Sequence, residues 1–233
     1  MIPAMFFAPF ILFYAIAFFF ILAFFFVLLE IGIIHHAFLA VGLPPELAFL
    51  ALFASLIGSY INIPIAKVAS GTPHQDDIVN SFGVRYRVPT QYADDSTTVA
   101  INVGGALVPI FISAYVLFVQ PAAILPAAIG VALVAMVVNR FARPVPGLGI
   151  ATPMLIPPII AALVAIGLTG MMSSAAGQRD AVAYVSGVLG TLIGADLMNL
   201  NKLEELGAPV ASIGGAGTFD GVFLTGIVAV LLA

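Results

Sequence analysis

Two aspartates lie where an ionised carboxylate is expensive. Asp196 sits in Gly194-Ala-Asp-Leu-Met-Asn199 and Asp220 in Gly214-Gly-Ala-Gly-Thr-Phe-Asp-Gly221, each within a long apolar stretch. At mid-depth in a bilayer such a charge costs on the order of 3 kcal/mol or more unless it is paired, protonated or facing water. Two carboxylates within hydrogen-bond range in a poor solvent cannot both ionise, so one keeps a proton and the other acts as base toward a shared water. That is the chemistry of acid–base hydrolysis. Counting inward from Lys202 puts Asp196 roughly 9 Å deep, and counting from Pro209 puts Asp220 nearer about 16 Å. The two acids meet only if the glycine stretch Gly214 to Gly221 is not a straight helix. Glycine makes that accessible, and broken backbone is tolerated at membrane depth where it lines a polar cavity.

Neighbouring residues fit the same reading. Ser186, Gly190 and Gly194 form a small-xxx-small row that lets another helix approach closely. Asn199, three residues after Asp196, shares its helical face and is placed to hydrogen-bond the pair. Gly190, Gly194, Gly214 and Gly217 are therefore expected to hold the site. A structural role stands beside this: Asp220 as a helix N-cap after a glycine loop, and Asp196 as a buried carboxyl satisfied by backbone or by Asn199.

The elements that must position these acids follow from composition. Of 233 residues 62% are apolar and only 8% charged, too few polar side chains to cover a water-soluble globule. Apolar stretches run from Met5 to Leu29, Leu47 to Ala66, Val99 to Val119, Ala122 to Val138, Met154 to Met171, Ala181 to Leu200 and Pro209 to Ala233. This predicts a single all-α membrane domain over residues 1–233, a polytopic bundle of about seven spans. The first stretch has no basic leader and is too apolar for too long to be a secretion signal, so it is expected to stay as a helix. Its Phe-rich run, Phe18 to Phe26, has no small-residue face and suits contact with lipid. Lys67, Arg85, Arg87, Arg140, Arg143 and Lys202 fall in even-numbered loops and Arg179 alone in an odd one. Basic loops stay inside, which predicts an inner-membrane protein with a cytoplasmic N-terminus and an external C-terminus.

The one sizeable polar segment, residues 70–98, is expected to be a cytoplasmic β-hairpin or ordered loop, because Phe82-Gly-Val-Arg-Tyr-Arg-Val88 alternates apolar with basic. Asp94, Asp95, Ser96, Thr97 and Thr98 offer N-caps for the third span. Pro144, Pro146, Gly147 and Gly149 mark a stiff inner turn. Pro64, with Asn62 or Ser59 to satisfy the freed carbonyl, is expected to bend the second span.

The stretch Gly217-Thr-Phe-Asp-Gly-Val-Phe-Leu-Thr-Gly-Ile-Val-Ala-Val-Leu-Leu232 resembles the second catalytic segment of the intramembrane aspartyl proteases, the presenilin and signal-peptide-peptidase group, in which G-x-G-D opens an apolar helix. Asp220 matches the catalytic aspartate and Gly217 the first glycine, while Phe219 stands where that group has glycine. Asp196 would carry the role of the other acid, although Ala195 replaces the group's preceding tyrosine. A proline-rich element like the group's P-A-L segment is found in Thr152-Pro-Met-Leu-Ile-Pro-Pro158, ahead of the aspartates rather than after them. The resemblance implies endopeptidase activity on a membrane-protein or peptide substrate. Taken whole, the chain looks like a prokaryotic membrane family of unknown function whose members end in a similar Gly-Gly-Ala-Gly-Thr-Phe-Asp-Gly segment.

Transport is the competing class, with a non-catalytic assembly role a third. Ala100-Ile-Asn-Val-Gly-Gly-Ala-Leu-Val-Pro-Ile-Phe-Ile-Ser113 and Ala211-Ser-Ile-Gly-Gly-Ala-Gly-Thr-Phe-Asp-Gly-Val-Phe-Leu-Thr225 echo each other: a polar residue, paired glycines, an apolar run. Interrupted helices in related halves are the sign of a transporter site, and Asn102, Asp196 and Asp220 would then line a cation or proton path. A homodimer would compensate for the short chain. Glu30, His35 and His36, and likewise His74, Asp76 and Asp77, have ligand-type side chains, but interfacial or loop positions explain them without a metal. Ser173 and Ser174 lack a histidine base. No cofactor, metal or nucleic-acid partner is expected; the lipid bilayer is.

Overall fold

The computed structural model describes residues 9–69, 78–81, 84–87, 96–145, 149–172, 177–205, 210–215 and 221–233. The fold is mostly helical with a few short strands. In chain order the elements are α1 (Pro9–Ala40), α2 (Pro45–Gly58), β1 (Asn62–Ala69), β2 (Ile78–Ser81), β3 (Val84–Arg87), β4 (Ser96–Asn102), α3 (Val108–Val119), α4 (Ile124–Phe141), β5 (Arg143–Val145), β6 (Gly149–Ala151), α5 (Ile156–Met171), α6 (Arg179–Thr191), β7 (Val210–Ile213) and α7 (Gly221–Leu232). Pro45 and Pro157 fall in the first turns of α2 and α5, where no intrahelical N–H is needed.

Helix α6 is the centre of the bundle, with α4, α5 and α7 around it. Nearly every residue from Ala181 to Thr191 is buried, including Val182, Tyr184, Val185 and Val188. The row of small residues predicted on this helix is used as expected, and its partner is α4. A Cβ on Gly130 would lie 2.9 Å from Ser186 Cβ, one on Gly190 would lie 2.7 Å from Val134 Cβ, and one on Gly194 would strike the backbone of Ala135. Helix α7 meets another row. A Cβ on Gly187 would sit 3.3 Å from Thr225, and one on Gly226 2.6 Å from Val188. Phe38 of α1 closes the outer layer, edge-on to Tyr184 at 6.3 Å and to Phe223 at 5.9 Å.

Three of the expected spans are not helical throughout. The second turns into β1 after Gly58, the third begins as β4, and the seventh begins as β7. These three strands pair with one another in the order β1-β4-β7. β1 and β4 are antiparallel, with Asn62 opposite Asn102 and a register break between Pro64 and Ala66, while β4 and β7 are parallel, with Ala100 beside Ser212. The local cause is legible in each. Ile61-Asn-Ile-Pro-Ile65 alternates and carries a proline, Thr97-Thr-Val-Ala-Ile101 is β-branched, and Val210 to Ile213 ends on glycines in left-handed backbone. An apolar run read only for length misses the change of period.

The caps foreseen for the third span are corrected accordingly. Ser96, Thr97 and Thr98 are strand residues, and Asn102 takes the cap, its Oδ1 accepting from Gly105 N at 2.7 Å. Asp94 and Asp95 lie outside the described residues. The hairpin foreseen within residues 70–98 is present as β2 and β3, Ile78 opposite Arg87 and Ser81 opposite Val84. β5 and β6 form a second hairpin, Arg143 opposite Ala151 and Val145 opposite Gly149, where the prolines and glycines predict a stiff turn. Of the fully described helical segments, two are long and apolar enough to cross a membrane, Pro121–Phe141 and Arg179–Lys202.

Candidate functional site

Asp196 is placed by a change of helical winding. After Thr191 the chain widens into a π-turn over Leu192–Asp196 and then tightens into 3-10 helix over Leu197–Glu205. Such turns hold an extra residue and recur at functional sites. Asp196 ends the π-turn half-buried, and its Oδ2 accepts from Gly214 N at 2.8 Å. Gly214 and Gly215, with φ of 83° and 118°, adopt left-handed backbone that glycine takes without strain. A side chain at Gly214 has no room either, since its Cβ would lie 2.6 Å from Ala106 Cβ and 2.8 Å from Ala106 N. Ala106 belongs to a second π-turn, Val103–Leu107, which carries β4 into α3. Two π-turns and a left-handed glycine turn therefore meet at one point, and the Asp196 carboxylate is fastened there.

Asn102 anchors the same point from the sheet. Its Nδ2 donates to Ser59 O at 2.7 Å and to Asn62 Oδ1 at 3.0 Å, while its Oδ1 caps the π-turn. Ser212 Oγ donates to the same Asn62 Oδ1 at 2.6 Å. The polar residues that head the two echoing segments, Asn102 and Ser212, thus converge on one amide of β1. Ser55 Oγ adds a bond to Gly104 O at 2.7 Å, drawing α2 onto the Val103–Leu107 π-turn.

A family model described as a protein of unknown function (DUF1614) matches residues 56–232. The chain belongs to this family. No curated protein and no solved structure matches it. The matched stretch begins in the last turn of α2 and contains Asp196, Gly214, Asn102, Ser59, Asn62, Gly104 and Ser212; Ser55, with α1 and most of α2, precedes it.

Within that DUF1614 region the remaining predicted residues take these places. Asp220 and Gly217 lie outside the described residues; α7 begins at Gly221, the next residue after Asp220. Asn199 is fully buried, but its amide serves neighbours other than Asp196. Nδ2 donates to Asn139 Oδ1 at 2.9 Å, Ala195 O at 2.9 Å and Gly194 O at 3.1 Å, and its Oδ1 accepts from Lys202 Nζ at 2.7 Å. Gly190 of α6 and Gly194 of the following π-turn both lie tight against α4. Pro157 and Pro158 are buried at the start of α5.

Ahead of the matched region, α1 runs on to Ala40, so Glu30, His35 and His36 lie within the helix rather than at its end. His35 stacks on Phe49 at 4.3 Å. His74, Asp76, Asp77, Ser173 and Ser174 lie outside the described residues. Sequence reasoning missed Asn62 as a junction, Asn139 as the partner of Asn199, and Gly187 with Gly226 between α6 and α7. Only Ser212 and Asn62 carried a signal, through the repeated segment and the proline beside it.

Proposed function

We propose that the chain is an inner-membrane protein of about seven crossings, N-terminus cytoplasmic and C-terminus outside, working as an intramembrane aspartyl hydrolase with Asp196 and Asp220 as its acid–base pair. The observation that carries this reading is the 2.8 Å bond from Gly214 N to Asp196 Oδ2. It holds one carboxylate on the glycine turn, with only residues 216–220 between that turn and α7. In the reaction one carboxylate takes a proton from water as the water oxygen attacks a peptide carbonyl. The partner carboxyl gives its proton to the departing nitrogen. A peptide must be extended to expose that carbonyl, and β7 is an edge strand beside Asp196. The proposed topology draws support from strand direction: crossings two and three must oppose each other and crossings three and seven must agree, as β1, β4 and β7 do.

Asp196→Asn and Asp220→Asn are each expected to abolish cleavage of single-span test peptides in proteoliposomes, read by mass spectrometry, while the protein stays folded. An Asn at 196 still offers an oxygen to the Gly214 N–H, so folding survives the loss of the acid. Cleavage retained by either variant would sink the assignment.

Transport is the second reading, favoured by one observation: the echoing segments lie side by side and parallel, joined through Asn62. It expects proton or cation flux into vesicles under a gradient, stopped by the same two substitutions without any peptide being cut.

A further inference from the structure

Helix α2 is too short to cross a membrane alone. Its 14 residues rise about 21 Å against roughly 30 Å of hydrocarbon, leaving about 9 Å, or some three extended residues. The chain supplies them directly as Tyr60, Ile61 and the start of β1. The third crossing has a smaller deficit: Val103–Val119, counting the π-turn, rises about 25 Å and is preceded by β4. Both of these short helices are continued by strands, and those two strands pair with each other.

Exposure along β1 is unlike that of a strand in water. Tyr60 is 76% exposed and Ile61, Ile63 and Ile65 are 44–54% exposed. They continue the apolar face of α2 formed by Phe49, Leu50, Phe53 and Ile57, also exposed. Lys67, two residues beyond Ile65, is the first charge after α2.

The free edge of β1 is adapted too. Ile61 O accepts from Val103 N at 2.9 Å, so Ile61 and Ile63 turn their main-chain groups toward β4 while Asn62 and Pro64 turn theirs outward. Of the two outward positions only Asn62 has an N–H; Pro64 removes the other donor. An open sheet edge is costly in hydrocarbon because nothing there accepts its N–H groups. A second strand, by contrast, would want the donor that Pro64 lacks.

From these observations we propose that β1 is sunk in the inner leaflet, its outer edge and its isoleucine face in contact with lipid acyl chains, with Lys67 at the headgroups. The three-stranded sheet is then part of the membrane domain, and the Asp196–Gly214 contact lies below the bilayer surface. The inference rests on the membrane-crossing reading and is independent of hydrolase or transport activity.

The chain has no cysteine, so single-cysteine variants carry one label each. Ile61→Cys, Ile63→Cys, Ile65→Cys and Lys67→Cys, spin-labelled in phosphatidylglycerol/phosphatidylethanolamine vesicles, report collisions with oxygen and with a water-soluble nickel chelate. Expected is oxygen in excess at 61, 63 and 65, inverting to chelate at 67. Chelate in excess at all four positions would place β1 in water and overturn the proposal. Loss of access to both probes, with broadening between labels, would mean a second copy covers the strand and overturn it equally. Wild-type protein in nanodiscs gives a second readout: the Asn62 amide is expected to exchange slowly with deuterium, and fast exchange counts against lipid contact.

Discussion

Gly104→Ala is expected to cost about 4 kcal/mol or more, enough to deplete the folded protein, because the new methyl group meets main chain rather than side chain. Its Cβ would run into Ser55 O and Ser59 N and lie 2.8 Å from Gly58 C, so the last turn of α2 and the Val103–Leu107 π-turn touch backbone to backbone. Relief requires α2 to move away. That movement breaks the Ser55 Oγ bond to Gly104 O and pulls Ser59 O off Asn102. Asn102 is a buried amide whose three bonds hold β1, α2 and the π-turn together, and each partner lost there leaves a desolvated polar group. The contrast is Gly167→Ala on α5, where a Cβ meets nothing within 4 Å. It is expected to be neutral or to stabilise by about 0.5 kcal/mol. Thermal unfolding in detergent, followed by the surviving monodisperse fraction, separates the two. Equal midpoints for both variants would mean that α2 does not sit on the turn.

The same contact explains what the sequence could and could not convey. Apolar length is a reliable sign where a helix continues, so α4, α5 and α6 fall close to the stretches read for them. It is a poor sign where the chain stays apolar but changes winding. Ile61-Asn-Ile-Pro-Ile65 has the alternation of a strand, yet every second residue is also acceptable to lipid, so the run reads as more helix. Thr97 and Thr98 show the reverse error: hydroxyls before an apolar run look like caps, although β-branching suits them to the sheet where they lie.

Close packing at Ser186, Gly190 and Gly194 was legible because only small residues allow it; that the partner is α4 was not, since a row of glycines does not name the helix it admits. Asn199 is expected on one helical face with Asp196, but the chain changes winding between them, Asp196 ending the π-turn and Asn199 lying in the 3-10 segment. Where the winding passes from π to 3-10, the carbonyls of Gly194 and Ala195 and the facing Asn139 compete successfully for its amide. Pairing between strands distant in the chain, such as Ala100 beside Ser212, leaves no local trace at all.

Gly214→Ala is expected to be the most damaging single change on the glycine turn that holds Asp196, for two separable reasons. Alanine in left-handed backbone costs about 1–2 kcal/mol by itself. The added Cβ would also lie 2.6 Å from Ala106 Cβ and 2.8 Å from Ala106 N, adding about 1–3 kcal/mol of overpacking against the π-turn. Together these predict a loss of about 3 kcal/mol, and the backbone shift that relieves it must displace the N–H bonded to Asp196. Asp196→Leu removes the acceptor instead and leaves that N–H without its partner, a cost of about 1–3 kcal/mol. Each change breaks the same bond, so the double variant is expected to be less destabilised than the sum by about 1 kcal/mol or more. Strict additivity in thermal or denaturant unfolding would mean that the carboxylate and the glycine turn act independently, and the candidate site would lose the contact that defines it. Asp196→Asn, which keeps an acceptor oxygen, is expected to leave the coupling largely in place. Comparing Asn with Leu at 196 thus tells whether the acid is there to hold the turn or the turn is there to hold the acid.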